Sequence, residues 1–509
     1  MSLIYPLAMI ELFSILWNFI AKKRSDMNIN NNIKPGDNKG LKRVLGRTDI
    51  LTLAFGTMVG WGWVMLSGVW IMEAGVAGSL LAFAIGATLC ILVGLTYAEL
   101  TAALPLAGGE MVYAYRAIDQ RFAWLVGWAI SFAYIGVAAW EGIAIATAID
   151  YIFPIPKLGY LWNVGGYPVF ASWSLVGMAG ALVLLILNHF GIRPAAIFQV
   201  MTTSALFLVG LIFVFGGISF GDPSYVTPTF TSGNGMIAVL LMVPSMFVGF
   251  DVIPQSAEEM NLPLRQISKT LIVSILMAAC WYFLVILGIS LCAPPEIRNA
   301  GIVPAADAMA YCFGSPFFGK IMIIGGICGI LTSWNGFIVG STRILYAMGR
   351  AKMLPPFFGK LHPKYKTPTG AIFLVGGLCT ITPLLGKNAL VWFVNVSAFG
   401  SVLSYLMVSI AFLILRKKEP DLERPFRIRY GALVGIIVLL ISISFLLLYT
   451  PLGQVSLTWP EEWMLILIWA LLGILFYLWS RASYGNVSPE ERELLIFGEE
   501  YSRKEYSDE

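Results

Sequence analysis

Long apolar runs separated by short polar breaks dominate the chain. Twelve stretches stand out, near residues 48–75, 79–104, 122–153, 170–187, 194–219, 235–257, 270–293, 317–349, 369–386, 389–415, 431–450 and 461–480. A helix needs roughly 20 apolar residues to cross a bilayer core about 30 Å thick. Most of these stretches are apolar on every side, so burial rather than an amphipathic stripe is their signature. Open sheet is excluded, because lipid offers no partner to an unpaired backbone group. The pattern predicts an all-α membrane protein with about 12 transmembrane helices. Residues 1–20 are also apolar, but they contain Glu11 and Asn18 and run into Lys22, Lys23 and Arg24. They read as an interfacial amphipathic helix, with a thirteenth span as the alternative. No basic segment precedes them and no small-residue cleavage site ends them, which argues against a secretory signal. Residues 25–46, rich in Asn, Lys and Gly, read as a tether.

Charge placement orients the bundle. With the segment before the first span in the cytoplasm, 29 of the 33 Lys and Arg fall inside and Lys157, Arg298, Lys320 and Lys387 fall outside. This asymmetry follows the positive-inside rule and predicts a cell-membrane protein with both termini cytoplasmic. Topology also accounts for the basic runs Arg416–Lys418 and Arg424–Arg429.

Composition narrows the class. The chain is 58% hydrophobic and 12% charged, with a mean hydropathy of +0.79. A soluble chain carries about 25% charge. A soluble enzyme, a disordered protein and a free nucleic-acid-binding factor are therefore excluded, and the bilayer is the first partner. His189 and His362 are the only histidines and cannot build an imidazole-rich metal site. Six cysteines form no CxxC pair and no disulfide framework. A bond between Cys292 and Cys312, which flank the loop after span 7, stays open. Gly314 to Lys320 looks like the start of a phosphate loop, but Ile321 stands where Ser or Thr should bind magnesium. No cofactor and no metal centre are expected.

Two spans are interrupted near membrane depth. Span 1 reads Gly56-Thr57-Met58-Val59-Gly60-Trp61-Gly62, and span 6 reads Pro244-Ser245-Met246-Phe247-Val248-Gly249. An interior Gly costs a helix about 1 kcal/mol relative to Ala, and Pro about 3 kcal/mol. Gly56 and Gly60 form a GxxxG pair, so helix packing is one explanation. Recurrence favours another. Spans 1 and 6 open two five-span halves, and paired interruptions of this kind point to a transporter site. A broken helix leaves amides and carbonyls unpaired in mid-membrane. Free amides at a half-helix N-terminus suit a carboxylate, and free carbonyls suit an ammonium or a small cation. A zwitterion satisfies both, so an amino acid is the natural guest.

Several motifs identify a resemblance. Met58 to Val64 is similar to the "GSGIF" segment of the amino acid–polyamine–organocation (APC) superfamily. Tyr97-Ala98-Glu99-Leu100, Pro105, Gly108-Gly109-Glu110 and Tyr113 resemble its signature after span 2. So do Phe247-Val248-Gly249-Phe250-Asp251 with Glu258-Glu259, Asn261, Pro263 and Arg265, the run Arg343 to Met348, and Leu415-Arg416 through Pro420 to Phe426. The resemblance covers about residues 46–430. It implies a 5+5 inverted-repeat, leucine-transporter-like fold: residues 1–46 ahead of the bundle, repeats over 47–219 and 235–416, two further helices over 431–482, and a cytoplasmic tail over 483–509. By position, the amides of Trp61 and Gly62, beside Gly60, would hold a substrate carboxylate. The carbonyls of Met58, Ser245 and Val248, next to Gly249, would take its amino group. Phe247, Phe337 and Trp61 are candidates to pack or gate over it, and Asp251 falls on an acidic position of span 6.

Two departures from the family stand out. Trp61 replaces a serine, which puts substrate size in question. No Lys or Arg occurs over residues 194–219, where some members carry a proton-bearing lysine; the aligned position is Leu206. The resemblance offers a sodium site instead, at Gly56 and Val59 with Thr332 or Ser333, although both hydroxyls could simply back-bond to their own helix. Proton coupling elsewhere and obligate exchange remain alternatives. Glu141 lies well inside span 3, where a charge costs at least about 2.5–3.5 kcal/mol. It is a proton relay, a partner for a cationic substrate, or a neutral structural acid. The expected function is an amino acid permease, with an amine, polyamine or basic amino acid carrier as the alternative. A channel would show charge rings or a filter, and an enzyme would show a catalytic cluster; neither appears.

Overall fold

A computed structural model describes residues 41–300, 303–451, 453 and 456–501. The helix expected over residues 1–20 and most of the tether lie outside these. The tether's last residues are not free, however. The amides of Val44 and Leu45 both donate to the Glu259 carbonyl at 2.9 Å, and Leu45 is buried.

In chain order the helices are α1 (Arg47–Met58), α2 (Gly62–Met65), α3 (Ser67–Ala103), α4 (Gly109–Ala117), α5 (Gln120–Ile152), α6 (Ala171–His189) and α7 (Ile192–Phe220). Then come α8 (Gly233–Phe247), α9 (Val252–Gln255), α10 (Leu264–Cys292), α11 (Pro295–Ala300), α12 (Pro304–Cys312) and α13 (Pro316–Arg350). The series ends with α14 (Thr369–Ile381), α15 (Ala389–Lys418), α16 (Gly431–Leu448), α17 (Glu461–Tyr484) and α18 (Pro489–Tyr501). A small antiparallel hairpin, β1 (Tyr160–Val164) and β2 (Tyr167–Phe170), joins α5 to α6. Among the described residues, ten helical stretches are long and apolar enough to cross a membrane. The sequence's first stretch falls on the broken α1–α2 segment and the start of α3. Its ninth falls on the shorter apolar piece Thr369–Leu385. The protein is an all-α, multi-pass membrane protein.

Local chemistry explains the turns. Gly75 interrupts α3 with φ of 75°, a conformation L side chains avoid. The amides that it frees, on Val76 and Ala77, donate to the carbonyls of Pro228 and Thr229 at 3.0 and 2.8 Å. Asp119 caps α5 by accepting from the Phe122 amide at 2.8 Å. The core is built where α3 packs on α8 and α10, and where α13 packs on α5 and α7. On the flank, Trp128 of α5 and Trp469 of α17 stack with centroids 4.3 Å apart, and each indole N–H donates to the other's carbonyl at 3.0 Å.

The arginine-rich end of the bundle is tied shut. Arg343 grips Glu259 through two bonds of 2.9 and 3.1 Å, with both side chains 1% exposed. Arg350 pairs with Glu258, and Arg416 and Arg424 converge on Glu99. Glu99 and Glu259 are buried as well as paired. Over this end lies α18. Its Arg492 donates to the Ala351 carbonyl at 3.1 Å, and Phe497 lies under the Arg116 guanidinium, which also pairs with Glu419.

Candidate functional site

Two helix breaks face each other in the middle of the bundle. The first runs from Val59 to Trp61, between α1 and α2. The second runs from Val248 to Asp251, between α8 and α9. They touch at Gly249, whose φ is 129°; a Cβ there would stand 2.9 Å from the Met58 amide nitrogen. Only glycine lets the two backbones approach so closely. Helix α13 approaches the first break just as closely: a Cβ on Gly329 would lie 2.5 Å from the Gly60 carbonyl oxygen.

The breaks leave backbone groups open. Among the described residues, the amides of Gly60, Trp61 and Gly62 make no hydrogen bond, and neither do the carbonyls of Ser245 and Val248. The Tyr282 hydroxyl of α10 sits between the two breaks, 3.0 Å from the Met58 carbonyl and 3.1 Å from that of Met246. It has one proton for the two acceptors.

A cavity of about 330 Å³ opens on these groups. Of the residues expected from sequence, Met58, Gly60, Trp61, Gly62, Ser245, Val248, Ser333 and Phe337 line it. Its other walls are Val137, Trp140 and Thr147 of α5 and Leu390, Val391, Val394, Ser397, Ala398 and Ser401 of α15, with Thr57, Met65, Leu66, Met246 and Tyr282 completing it. Among the described residues, no charged side chain lines it. Sequence reasoning did not reach the α5 and α15 walls, since apolar residues on long apolar helices carry no local signal of which face meets a void.

Several expected residues lie elsewhere. Phe247 is fully buried at the end of α8, with its ring 5.6 Å from that of Tyr282, so it packs behind the site rather than over it. Helical register through Phe247 turns the side chain towards α10. The Trp61 indole lies against Gly326 of α13 and is 4% exposed, so this large residue leaves the cavity open. Asp251 caps the second break. It accepts from the Gly249 amide at 3.0 Å and from the Tyr405 hydroxyl of α15 at 3.2 Å. Glu141 is 0% exposed, and among the described residues its carboxyl group has no polar neighbour beyond the Ser333 hydroxyl. A Cβ on Gly60 would stand 3.5 Å from its Oε1, with the Ser333 hydroxyl beside it. Glu141 therefore sits behind the cavity wall.

Of the positions named for sodium, Ser333 lines the cavity. The Thr332 hydroxyl donates to its own helix at Gly329, 2.9 Å away. Val59 is fully buried. The space beside Gly56 holds the amide nitrogen of Gln199 and the hydroxyl of Thr203, both on α7. Leu206, the position aligned with the family lysine, packs instead against Gly329. Cys292 and Cys312 are both free thiols.

Comparison with known proteins agrees with this architecture. The family model described as amino acid permease matches residues 45–475. The branched-chain amino acid permease BcaP of Bacillus subtilis is 27% identical over 456 residues, covering 87% of this chain and 94% of its own length. The methylthioribose transporter of the same organism is 25% identical with the same coverage. Human cationic amino acid transporter 4 is 29% identical over 407 residues, 76% of this chain and 62% of its own. With two unwound helices meeting at an uncharged cavity, and with the family model matching most of its length, the chain belongs to the amino acid permease family.

Proposed function

We propose that this permease carries an amino acid with a neutral side chain across the cell membrane by alternating access. Twelve spans would be arranged as two inverted five-helix repeats plus α16 and α17, with both termini cytoplasmic. The substrate carboxylate binds the open amides of Trp61 and Gly62. Its ammonium binds the carbonyls of Ser245 and Val248, with Met58 shared between substrate and Tyr282. The side chain points along Trp140, Phe337 and Val394. The observation that carries this reading is the pair of unsatisfied breaks facing one cavity with no charge on its walls. Buried polar groups left unpaired cost free energy, and a zwitterion answers both signs at once. A cavity near 330 Å³ lies at the small end of ligand sites, which run from about 300 to 1,000 Å³. It suits a single amino acid.

The name of the B. subtilis branched-chain permease supports an aliphatic side chain, although other relatives carry names with different cargo. A basic amino acid or polyamine would bring a second positive charge to walls that offer it no carboxylate. Glu141 stands behind Gly60 and Ser333 instead. Counterflow in proteoliposomes with a panel of amino acids and amines tests the assignment. Stereoselective, saturable exchange of L-leucine, L-valine or L-methionine is expected. Preferential exchange of arginine, lysine or putrescine would reassign the site to cationic cargo, and unsaturable flux would mean a pore.

A further inference from the structure

Trp61 joins the first break to α13. Its backbone belongs to the substrate end: the carbonyl starts α2 by accepting from the Val64 amide at 3.1 Å, and the amide is open. Its side chain reaches α13. The indole is seated on Gly326, where a Cβ would stand 2.2 Å from Cζ3 and 2.7 Å from Cε3, with a Val64 methyl at 3.1 Å. Carbon atoms pack at about 3.5–4.0 Å, so only a bare Cα at position 326 gives the ring this room. One turn further along α13, Gly329 makes the same room for the Gly60 carbonyl oxygen. Two consecutive residues of the break are thus received by two glycines of one helix. Trp61 lines the cavity, yet it is only 4% exposed. The ring fills the space beside its own open amide, and a small side chain there would leave that space joined to the cavity.

A break with open amides and open carbonyls selects a zwitterion, but it does not measure length. A dipeptide carries the same two end charges as an amino acid, and its peptide carbonyl can also accept from the open amides. We propose that the Trp61 indole, seated on Gly326, is the end stop of the substrate site: it occupies the space beyond the substrate carboxylate, so that a free amino acid fits and a molecule extended through its carboxyl group does not. Discrimination of this kind is a clash built against the wrong cargo rather than a bond to the right one. The inference rests on the carrier reading above, which places the carboxylate on the Trp61 and Gly62 amides.

The test is counterflow in proteoliposomes with the amino acid that the panel above selects, competed by that amino acid or by the dipeptide in which glycine follows it. For the wild type, the dipeptide should compete at least about tenfold more weakly than the amino acid. Trp61→Ser keeps the backbone amide and should narrow this ratio to about threefold or less. Gly326→Ala drives the ring out of its seat and should weaken the amino acid itself by about tenfold, and the double variant with Trp61→Ser should recover most of that loss, since the clash needs both partners. The double variant reads out dipeptide competition as well, should Trp61→Ser alone not fold. A wild type that takes the dipeptide as readily as the amino acid, a ratio unchanged when Trp61 becomes Ser, or Gly326→Ala with wild-type affinity would overturn the proposal. Absence of exchange by the wild type for any amino acid is a different result: the carrier reading falls, and the end stop with it.

Discussion

At the scale of single residues, Tyr282 and Glu141 are the informative side chains. Tyr282→Phe keeps the ring packed against Phe247 but removes the proton shared by the Met58 and Met246 carbonyls. Such a bond contributes about 1 kcal/mol net. The variant should therefore fold, while uptake assays show a raised KM for substrate because the unwound carbonyls are no longer held in place. Glu141→Gln is nearly isosteric and removes the ionisable group while keeping a polar side chain beside Ser333. Membrane expression should stay near wild type while initial uptake falls by about tenfold, the pattern of an intramembrane acid kept for function. Unchanged uptake would return Glu141 to a structural role. The sequence made Glu141 visible because a lone acid in an apolar helix is conspicuous. Tyr282 was not, since an uncharged polar residue in a span is common and gains its meaning only from the helices that surround it.

At the scale of elements, the two interruptions were legible because glycine and proline are expensive inside helices. Which side chains they present was only partly legible. The expectation for Phe247 failed because α8 remains helical through that residue, whereas Val248 and Ser245, closer to the carbonyl side, do reach the cavity. Gly249 is the sharpest test of this geometry. Gly249→Ala puts a methyl group against the Met58 amide and forces alanine to a positive φ. Backbone strain of this kind costs about 1–3 kcal/mol before the steric clash is added. Purified protein should melt at a clearly lower temperature in detergent and lose substrate-induced stabilisation. The small β1–β2 hairpin was missed altogether, since residues between two long apolar runs read simply as a loop.

At the scale of the whole molecule, the distribution of basic residues indicated which end would gather arginines but not what they would do there. Charges near span ends look solvated in a sequence, yet Arg343 and Glu259 are buried together. Removing one partner from a buried pair costs about 3–5 kcal/mol because the other charge is stranded. Arg343→Ala should accordingly lower thermal stability strongly, and the double variant with Glu259→Ala should recover part of the loss. The docking of α18 was equally hidden, as its contacts with Arg116 and Gln120, and with Ala351 and Lys352, come from two distant places in the chain. Phe497→Ala empties the contact beneath Arg116 and should release this helix. Limited proteolysis between Tyr484 and Pro489 would then run faster while the helical content of the bundle stays constant.

The bare peptide-to-peptide crossing at Gly249 and Met58 has a mechanical consequence. On the alternating-access reading proposed above, the two chain segments, whose backbones meet with no Cβ on Gly249 between them, are the fulcrum. A tilt of one half against the other then spreads the helices at one mouth while squeezing them at the opposite mouth, as rigid-body closures do. On that reading, a vestibule filled at one face and emptied at the other is leverage about that single point.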